Sequence, residues 1–228
     1  MKNWREVAKK IDHTLLSMNA TKSDVLKLCR EAIENEFYAV CVNPFHVKTA
    51  AEAVKNTGVK VASVIDFPLG QSFTEIRVKE GILCVKKGAD ELDIVSNLSL
   101  VKEGKMNRFR MDLEDIIGRA REKKRDLVVK VIVEVGYLTK EEIKETSLIA
   151  AEAGADLIKT CTGKGPRGVM IEDVKFLKKI LPGDIGIKAS GGIRNLDFTL
   201  KLIDAGAMRI GSSAAISIIK EARRKMPD

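Results

Sequence analysis

The chain has 228 residues, 45% of them hydrophobic, and its lysines and arginines exceed its aspartates and glutamates to give a formal charge of +8. This length suits one large domain, and the apolar fraction is enough for a single core. The positive charges are interleaved with acids and aromatic residues are scarce, which argues against a disordered basic tail and against a stacking surface for single-stranded nucleic acid. We therefore expect no nucleic-acid partner.

The cysteines and histidines point to a reduced, metal-free protein. The four cysteines lie far apart and form no Cys-x-x-Cys pair, and the first residues contain no apolar stretch of signal-peptide length. His13 and His46 have no further ligands at metal-binding spacing. No segment approaches the about 20 apolar residues of a membrane-spanning helix. The sequence predicts a cytoplasmic protein with no membrane attachment and no metal or other cofactor.

Short apolar runs alternate with amphipathic segments along the whole chain. The amphipathic segments carry helix-start signals at Thr21, Thr74 and Thr139. The apolar runs predict eight strands. In chain order they are IDHTLL (11–16), YAVCVNP (38–44), KVASVIDFP (60–68), ELDIVSN (91–97), LVVKVIVEV (127–135), DLIKTCTG (156–163), GIKASGG (186–192) and RIGSS (209–213).

Three similar Gly-Ala segments, beginning at Gly88, Gly154 and Gly206, follow helix-like stretches and directly precede strands. Glycine suits the left-handed residue that ends a helix. Eight strand-plus-helix units match a (β/α)8 barrel, whereas a doubly wound open sheet uses fewer units and usually a second domain. The sequence thus predicts an α/β protein in which residues 1–228 form a single (β/α)8 TIM-barrel domain.

Alternate strand residues face the interior of a barrel, so position within a strand predicts which charged side chains are enclosed. Such residues are rarely buried unless paired, and a stabilising ion-pair layer is one interpretation. The other is a catalytic amine, because a buried lysine near another cation has a depressed pKa, as Schiff-base formation with a carbonyl substrate requires. Parity does not decide which lysine is the nucleophile. The enclosed residues are Glu91, Asp93, Lys130, Glu134, Lys159 and Lys188.

Residues 163–168 have the spacing G-x-G-x-x-G after a strand, but a lysine stands where a dinucleotide-binding fold places an acid about 20 residues further on. Lys164 and Arg167 suit a phosphate monoester instead, and a solvated surface loop is the alternative. Strands seven and eight end in SGGIR (190–194) and GSSA (211–214), each before a helix. Barrel enzymes commonly bind phosphate at these loops, so the sequence predicts a phosphate site there.

Five segments of the chain together resemble the deoxyribose-phosphate aldolases, a family of metal-independent class I aldolases. The sequence departs from the family pattern at Cys161, where serine is usual, and at PRGV (166–169), which replaces a stretch that commonly reads Gly-Gly-Ala-Thr. The loop difference bears on substrate preference more than on reaction type. The similar segments are IDHTLL (11–16), CVNP (41–44), ELDIVSN (91–97), KTCTG (159–163) and IKASGGIR (187–194).

This resemblance implies a mechanism and a set of site residues. It places the Schiff-base lysine at Lys159, the second lysine that lowers the pKa of the first at Lys188, and the aspartate of a water-assisted proton relay at Asp93. The implied reaction is reversible cleavage of 2-deoxy-D-ribose 5-phosphate, a small phosphorylated sugar, to D-glyceraldehyde 3-phosphate and acetaldehyde. Family members form dimers and tetramers, so we expect a homo-oligomer. The implied phosphate contacts are Gly163, Lys164, Gly191, Gly192, Arg194, Gly211 and Ser213.

Three other functions are compatible with the sequence. The nearest is another lysine-Schiff-base barrel aldolase or synthase that acts on a different phosphorylated sugar. A second is a catalytically silent barrel that binds an anion or RNA through its positive charge. The third is an oxidoreductase that uses a nicotinamide cofactor.

Overall fold

The computed structural model describes Met1 and residues 3–227, and its centre is a closed barrel of eight parallel strands. Each strand pairs with the next, and the last closes on the first with Ile210 opposite Ile11. All eight predicted strands are present, each shorter than its predicted run, and the TIM-barrel prediction is confirmed. The strands are β1 (Ile11–Leu15), β2 (Ala39–Val42), β3 (Lys60–Ile65), β4 (Glu91–Val95), β5 (Val128–Ile132), β6 (Leu157–Lys159), β7 (Gly186–Ser190) and β8 (Arg209–Ser212).

Helices surround the barrel and connect consecutive strands, and a 3-10 turn, Pro44–His46, precedes the third of them. Within the described residues, no helix combines the length and apolar character that crossing a membrane requires. The helices are α1 (Trp4–Ala8), α2 (Lys22–Glu34), α3 (Val47–Ala53), α4 (Thr74–Lys86), α5 (Leu98–Lys102), α6 (Met106–Arg121), α7 (Lys140–Glu152), α8 (Ile171–Ile180), α9 (Leu196–Asp204) and α10 (Ala215–Lys225).

Local sequence signals explain where several helices begin. Thr21 and Thr139 are the N-caps of α2 and α7, and each forms a reciprocal capping box with the acidic residue three positions later. Thr74 is the first residue of α4, but the N-cap is Phe73, which provides no side-chain bond. The Thr74 hydroxyl donates instead to Asp112 Oδ1 at 2.7 Å. All three signals therefore mark helix starts, but only two of them act as caps.

The three glycines predicted to end helices have left-handed backbone conformations. Gly88, Gly154 and Gly206 follow α4, α7 and α9 with φ of 104°, 103° and 118°. Residues that carry a side chain rarely adopt these backbone angles, so glycine is required where the chain turns from each helix into the next strand. This prediction is confirmed.

The apolar core lies between the barrel and its helices. Leu92 and Ile94 on β4, and Val129 and Val131 on β5, are fully buried in this layer. Each such side chain contributes about 2 kcal/mol through burial. A separate apolar cluster of Cys41, Ala62 and Val64, with Leu16 and Phe67, packs apart from it. Most of the apolar burial therefore lies outside the barrel, which leaves the interior for the charged residues on the opposite strand faces.

Candidate active site

Three lysines converge on one carboxylate inside the barrel. Lys159 Nζ and Lys188 Nζ lie 2.8 and 2.7 Å from Asp93 Oδ2, and Lys130 Nζ lies 2.8 Å from Asp93 Oδ1. The four side chains come from β6, β7, β5 and β4, and all are buried. Strand register places them together, because Lys130 pairs with Asp93 and Lys188 with Lys159 across neighbouring strands. The structure thus shows the interior placement that parity predicts for these four residues.

A second set of charges lies nearer the N-terminal ends of the strands. Asp12 Oδ2 lies 2.5 Å from Lys188 Nζ, and Glu91 Oε2 lies 2.5 Å from Lys130 Nζ. Arg209 joins the two carboxylates: Nε donates to Asp12 Oδ1 at 2.9 Å, and Nη2 donates to Glu91 Oε2 at 3.0 Å. The Arg209 guanidinium therefore shares the Asp12 carboxylate with Lys188 and the Glu91 carboxylate with Lys130.

These contacts close into a loop of alternating charges, which we call the ionic ring. Its three cations and three carboxylates balance one another, and every member is buried. Lys159 lies outside the ring and contacts it at Asp93, so a protonated Lys159 adds one positive charge to a neutral assembly. In order, the members are Arg209, Asp12, Lys188, Asp93, Lys130 and Glu91.

Asp12 and Arg209 are two further interior residues, on β1 and β8, outside the four strands (β4 to β7) whose alternation predicts the enclosed charges. The same rule finds both of them. Asp12 alternates on β1 with Ile11, which packs in the apolar core, and Arg209 shares its face of β8 with Gly211. The Arg209 guanidinium also stacks on the Tyr38 ring, with its central carbon 3.4 Å from the ring centroid.

The carboxylates of the ring reverse the expected effect of burial on the lysines. Burial alone lowers the pKa of Lys188, but Asp12 and Asp93 outweigh it and raise that pKa above its ordinary value. The pKa of Lys130 is raised in the same way, by Asp93 and Glu91 against burial. The prediction that the enclosed lysines have depressed pKa values is therefore wrong for Lys130 and Lys188, because each has two carboxylate partners.

Asp93 shows the complementary effect. Burial raises the pKa of Asp93, but the positive charges of Lys130, Lys159 and Lys188 outweigh burial and hold it well below its usual range. The Asp93 carboxylate is therefore ionised across the physiological range, and Lys188 beside it is cationic.

Of the three lysines on Asp93, Lys159 is the one that lines a cavity. The cavity has a volume of about 250 Å³ and opens at the C-terminal end of the barrel. Asp93 and Lys188 do not line it, and Asp93 contacts both Lys159 and Lys188. All seven residues that the resemblance assigns to phosphate binding also line it: Gly163, Lys164, Gly191, Gly192, Arg194, Gly211 and Ser213.

The cavity wall is built for an anion. Among the described residues that line it, Lys164 and Arg194 are cations at the wall and none is acidic. Gly191 and Gly192 have φ of 97° and 79°, a backbone that exposes consecutive peptide groups without side chains in front of them. Ser212 Oγ donates to Ile193 O at 2.7 Å and ties the loops after β7 and β8 together.

Gly211 makes room for the lysine beneath the cavity. A Cβ atom at this position would lie 3.0 Å from Lys188 Cε and 3.2 Å from Ser190 Cβ. Both distances are shorter than ordinary carbon contacts. Because Gly211 has no side chain, Lys188 can cross the interior at this point of β8 to reach Asp12 and Asp93.

Arg167 does not line the cavity, so its predicted phosphate contact is wrong. Its guanidinium donates to Asp173 Oδ2 and Oδ1 at 2.6 and 2.9 Å, and to Gly168 O at 3.0 Å. Asp173 lies in the first turn of α8 and neutralises the charge. Arg167 thus fixes the loop after β6 to the following helix, while Lys164 from the same loop reaches the cavity.

Glu134 does not join the interior lysines and carboxylates, so its predicted place in that cluster is wrong. The chain leaves the barrel after Ile132, and Glu134 adopts a left-handed φ of 54°. Its Oε2 accepts hydrogen bonds from Thr162 N at 2.9 Å and from the Thr162 hydroxyl. Glu134 therefore joins the loops after β5 and β6, because strand parity no longer applies beyond the strand end.

Cys161 is a packing residue. Burial raises the pKa of its thiol to about 12, which leaves it protonated and unreactive at neutral pH. A Cβ atom on Gly191 would lie 3.0 Å from Cys161 Cβ, so the side chain supports the glycine backbone of the cavity from behind.

Comparison with known proteins agrees with this architecture. A model of the DeoC/LacD family aldolase matches residues 6–218. Deoxyribose-phosphate aldolases from Thermococcus gammatolerans and Aciduliprofundum boonei are 48% and 46% identical to the chain, over 96% and 95% of its length and 97% and 96% of theirs.

Solved structures give the same result. The aldolase QR15 superposes with a TM-score of 0.91 at 43% identity, over 98% of this chain and 99% of that one. Deoxyribose phosphate aldolase from Aeropyrum pernix superposes with a TM-score of 0.90 at 33% identity, over 96% and 92%. The fold and these relatives define the protein as a lyase of the aldolase class. More particularly, the chain belongs to the DeoC/LacD aldolase family, which argues against a silent barrel and against a nicotinamide-dependent oxidoreductase.

Proposed function

We propose that the protein is a class I aldolase that reversibly cleaves 2-deoxy-D-ribose 5-phosphate to D-glyceraldehyde 3-phosphate and acetaldehyde through a Schiff base on Lys159. The position of Lys159 carries the proposal, because it is the lysine that both contacts Asp93 and lines the cavity. The substrate is taken from the relatives, which are named deoxyribose-phosphate aldolase over nearly their full length. No bound metal or organic cofactor is needed for this chemistry.

The charges of the interior distinguish the two candidate nucleophiles. Lys188 has two carboxylate partners within 2.7 Å and stays cationic, whereas Lys159 has Asp93, which it shares with two other lysines. A free amine at Lys159 leaves the interior neutral, because the ionic ring is balanced by itself. Lys159 is therefore the nucleophile, and cationic Lys188 is the neighbour that favours its neutral form.

The neutral Lys159 amine attacks the C1 aldehyde of the open-chain sugar and gives a carbinolamine. Loss of water forms an iminium, which withdraws electrons from the C2–C3 bond. Asp93, through a water molecule, accepts the proton of the C3 hydroxyl as that bond breaks and glyceraldehyde 3-phosphate leaves. The remaining enamine is protonated at C2 and hydrolysed, which releases acetaldehyde and restores the amine.

The charges balance across the bond-breaking step. The iminium at Lys159 carries one positive charge beside the ionised carboxylate of Asp93. Cleavage converts the iminium to a neutral enamine and transfers the C3 hydroxyl proton to Asp93 through the water, so the net charge of the buried interior stays the same. The step therefore adds no unbalanced charge to a buried site, where such a charge is costly.

The phosphate of the substrate binds at the cationic end of the cavity. Lys164 and Arg194 neutralise its charge, and backbone N–H groups near Gly191, Gly192 and Ser213 donate hydrogen bonds to its oxygens. This anchor places the sugar carbonyl at Lys159 and uses binding energy far from the reacting carbon to orient it.

Reductive trapping tests the proposal. Borohydride with acetaldehyde, followed by peptide mass mapping, is expected to give a stable ethyl adduct on Lys159. Lys159→Ala is expected to lose the adduct and to lower the cleavage rate by orders of magnitude. Lys188→Leu is expected to lower the cleavage rate to a similar extent. Lys130→Met is expected to retain the adduct and to lose less activity. An adduct on Lys188, or no adduct, overturns the assignment. A panel of phosphorylated sugars identifies the products and separates this enzyme from a Schiff-base aldolase with another substrate.

We also propose that the protein is a homo-oligomer. Four exposed apolar side chains lie around α4 and the 3-10 turn before α3, with Phe45 and Phe73 89% and 81% exposed, and Ile76 and Leu83 about half exposed. They present on the order of 500 Å² of apolar surface. That is the apolar share of a standard interface of about 800 Å² per partner. The relative from Aeropyrum pernix is tetrameric, which gives the same indication.

Sedimentation of the wild type and of a Phe45→Ser, Phe73→Ser variant tests this assembly. We expect a dimer or tetramer for the wild type and a smaller species for the variant. A monomeric wild type contradicts the proposal. We further propose that residues 1–228 form one domain and that the protein has no nucleic-acid partner. We also propose that it acts in the cytoplasm, which the four buried free cysteines support.

A further inference from the structure

The ionic ring contains two residues that the proposed reaction does not use. Arg209 and Glu91 lie at the N-terminal ends of β8 and β4, and neither lines the cavity. Both are buried, and both are bonded to ring members that reach Asp93: Arg209 through Asp12, and Glu91 through Lys130. A stabilising role alone accounts poorly for this pair, because buried charges seldom stabilise a fold more than apolar side chains of similar size.

We propose that Arg209 and Glu91 are positioning residues that set the charge state of Lys159, and with it the pH range of catalysis, by fixing the net charge of the ionic ring. This inference rests on the proposed role of Lys159 as the Schiff-base nucleophile. The ring is neutral only while it holds as many carboxylates as cations. Removal of one member therefore leaves a net charge that Lys159 experiences across Asp93.

The surroundings of Lys159 leave few other groups to absorb such a charge. β3 contributes the uncharged Ala62 and Val64 to the apolar cluster, and Cys41 from β2 is a buried thiol, whose pKa is raised by burial, so it stays neutral. Toward the cavity, Lys164 and Arg194 are exposed to solvent. The remaining charged neighbours are the ring members themselves: Asp12 on β1, Asp93 and Glu91 on β4, Lys130 on β5, Lys188 on β7 and Arg209 on β8.

Substitutions of Glu91 and Arg209 are expected to shift the acidic limb of the pH profile in opposite directions. Glu91→Gln preserves shape and gives the ring one net positive charge, so the protonated form of Lys159 is disfavoured and the acidic limb of the pH profile moves to lower pH. Arg209→Gln gives the ring one net negative charge, so protonation of Lys159 is favoured and the limb moves to higher pH. One unit charge a few side chains away, at an effective dielectric of about 20, shifts a titration by on the order of one pH unit.

The experiment measures the rate of cyanoborohydride trapping of acetaldehyde on Lys159 as a function of pH, alongside kcat/KM for cleavage. Acetaldehyde carries no phosphate, so ionisation of a substrate phosphate does not contribute to the trapping profile. Arg209→Lys retains the charge and is expected to retain the wild-type limb. The Glu91→Gln, Arg209→Gln double variant loses one charge of each sign and is expected to return the limb close to the wild-type position. Arg121→Gln, which breaks an ion pair with Asp156 outside the barrel, is the matched control and shifts nothing.

A structural role alone predicts a different pattern. It lowers activity and thermal stability in both single variants but leaves the limb in place, and it makes the double variant at least as impaired as either one. Shifts in the same direction, or no return in the double variant, overturn the inference. If Arg209→Gln fails to fold, Glu91→Gln still tests the inference, because its acidic limb must move to lower pH. If the wild type gives no adduct on Lys159, the proposed function fails instead, so the two failures are distinguishable.

Discussion

Gly211→Ala probes how closely Lys188 must be held. The added methyl carbon meets Lys188 Cε at 3.0 Å and Ser190 Cβ at 3.2 Å, so one of them has to move by a few tenths of an ångström. Lys188 is fixed by contacts of 2.5 and 2.7 Å to Asp12 and Asp93, and its side chain is buried. Such overpacking costs about 1–3 kcal/mol of stability, and displacement of the ammonium lowers the Lys159 trapping rate by roughly tenfold.

The assay combines the acetaldehyde trapping rate with the melting temperature. For a domain of this size, the stability loss lowers Tm by about 2–4 °C for each kcal/mol. Gly118→Ala is the matched control, because a Cβ atom at Gly118 in α6 meets nothing within 4 Å. That change is expected to raise helix stability by about 1 kcal/mol without altering trapping. A Gly211→Ala variant with wild-type trapping and wild-type Tm refutes the close-packing argument, and a lower Tm with unchanged trapping shows that Lys188 tolerates displacement.

Three further predictions concern the cavity and the ring. Arg194→Gln is expected to raise KM for deoxyribose 5-phosphate roughly tenfold by removing an anion contact, while KM for unphosphorylated deoxyribose stays unchanged; equal effects on both sugars contradict a phosphate role. Glu134→Ala leaves Thr162 without its acceptor and is expected to raise the same KM selectively, with Glu134→Gln close to the wild type; equal KM values for the three proteins argue against a loop-positioning role. Because the pKa of Asp93 is depressed, its contribution to the free energy of unfolding is present above the ordinary value of 3.8 and is lost as the pH falls further. Urea unfolding at decreasing pH measures this loss. Asp93→Asn is expected to show a smaller decrease in the free energy of unfolding as the pH falls, and an equal decrease in the variant and the wild type contradicts the role assigned to Asp93.

The fold is largely predictable because its signals are local. Strand runs, the Thr21 and Thr139 caps and the glycines after helices each depend on a few neighbouring residues. Interior placement of Lys159, Lys188 and Asp93 also follows from local alternation along a strand. These signals are sufficient to form a barrel with an enclosed charge cluster.

The electrostatics of the site are less predictable from sequence. The sign of a lysine pKa shift depends on how many carboxylates reach it, which requires the register of strands distant in the chain. Asp12 and Arg209 are 197 positions apart and share hydrogen bonds only once β8 closes on β1. Glu134 and Arg167 lie beyond strand ends, where backbone turns rather than alternation decide the direction of a side chain.

The contact between Arg209 and Asp12 spans the seam where the first and last strands of the barrel meet. During synthesis, seven strands emerge before the residue that neutralises Asp12 and Glu91 becomes available. A nascent chain that ends before β8 therefore carries carboxylates without their guanidinium partner at the place where the barrel is to close. Completion of the chain both joins the seam and balances the interior, so the catalytic centre is assembled by the last strand to leave the ribosome.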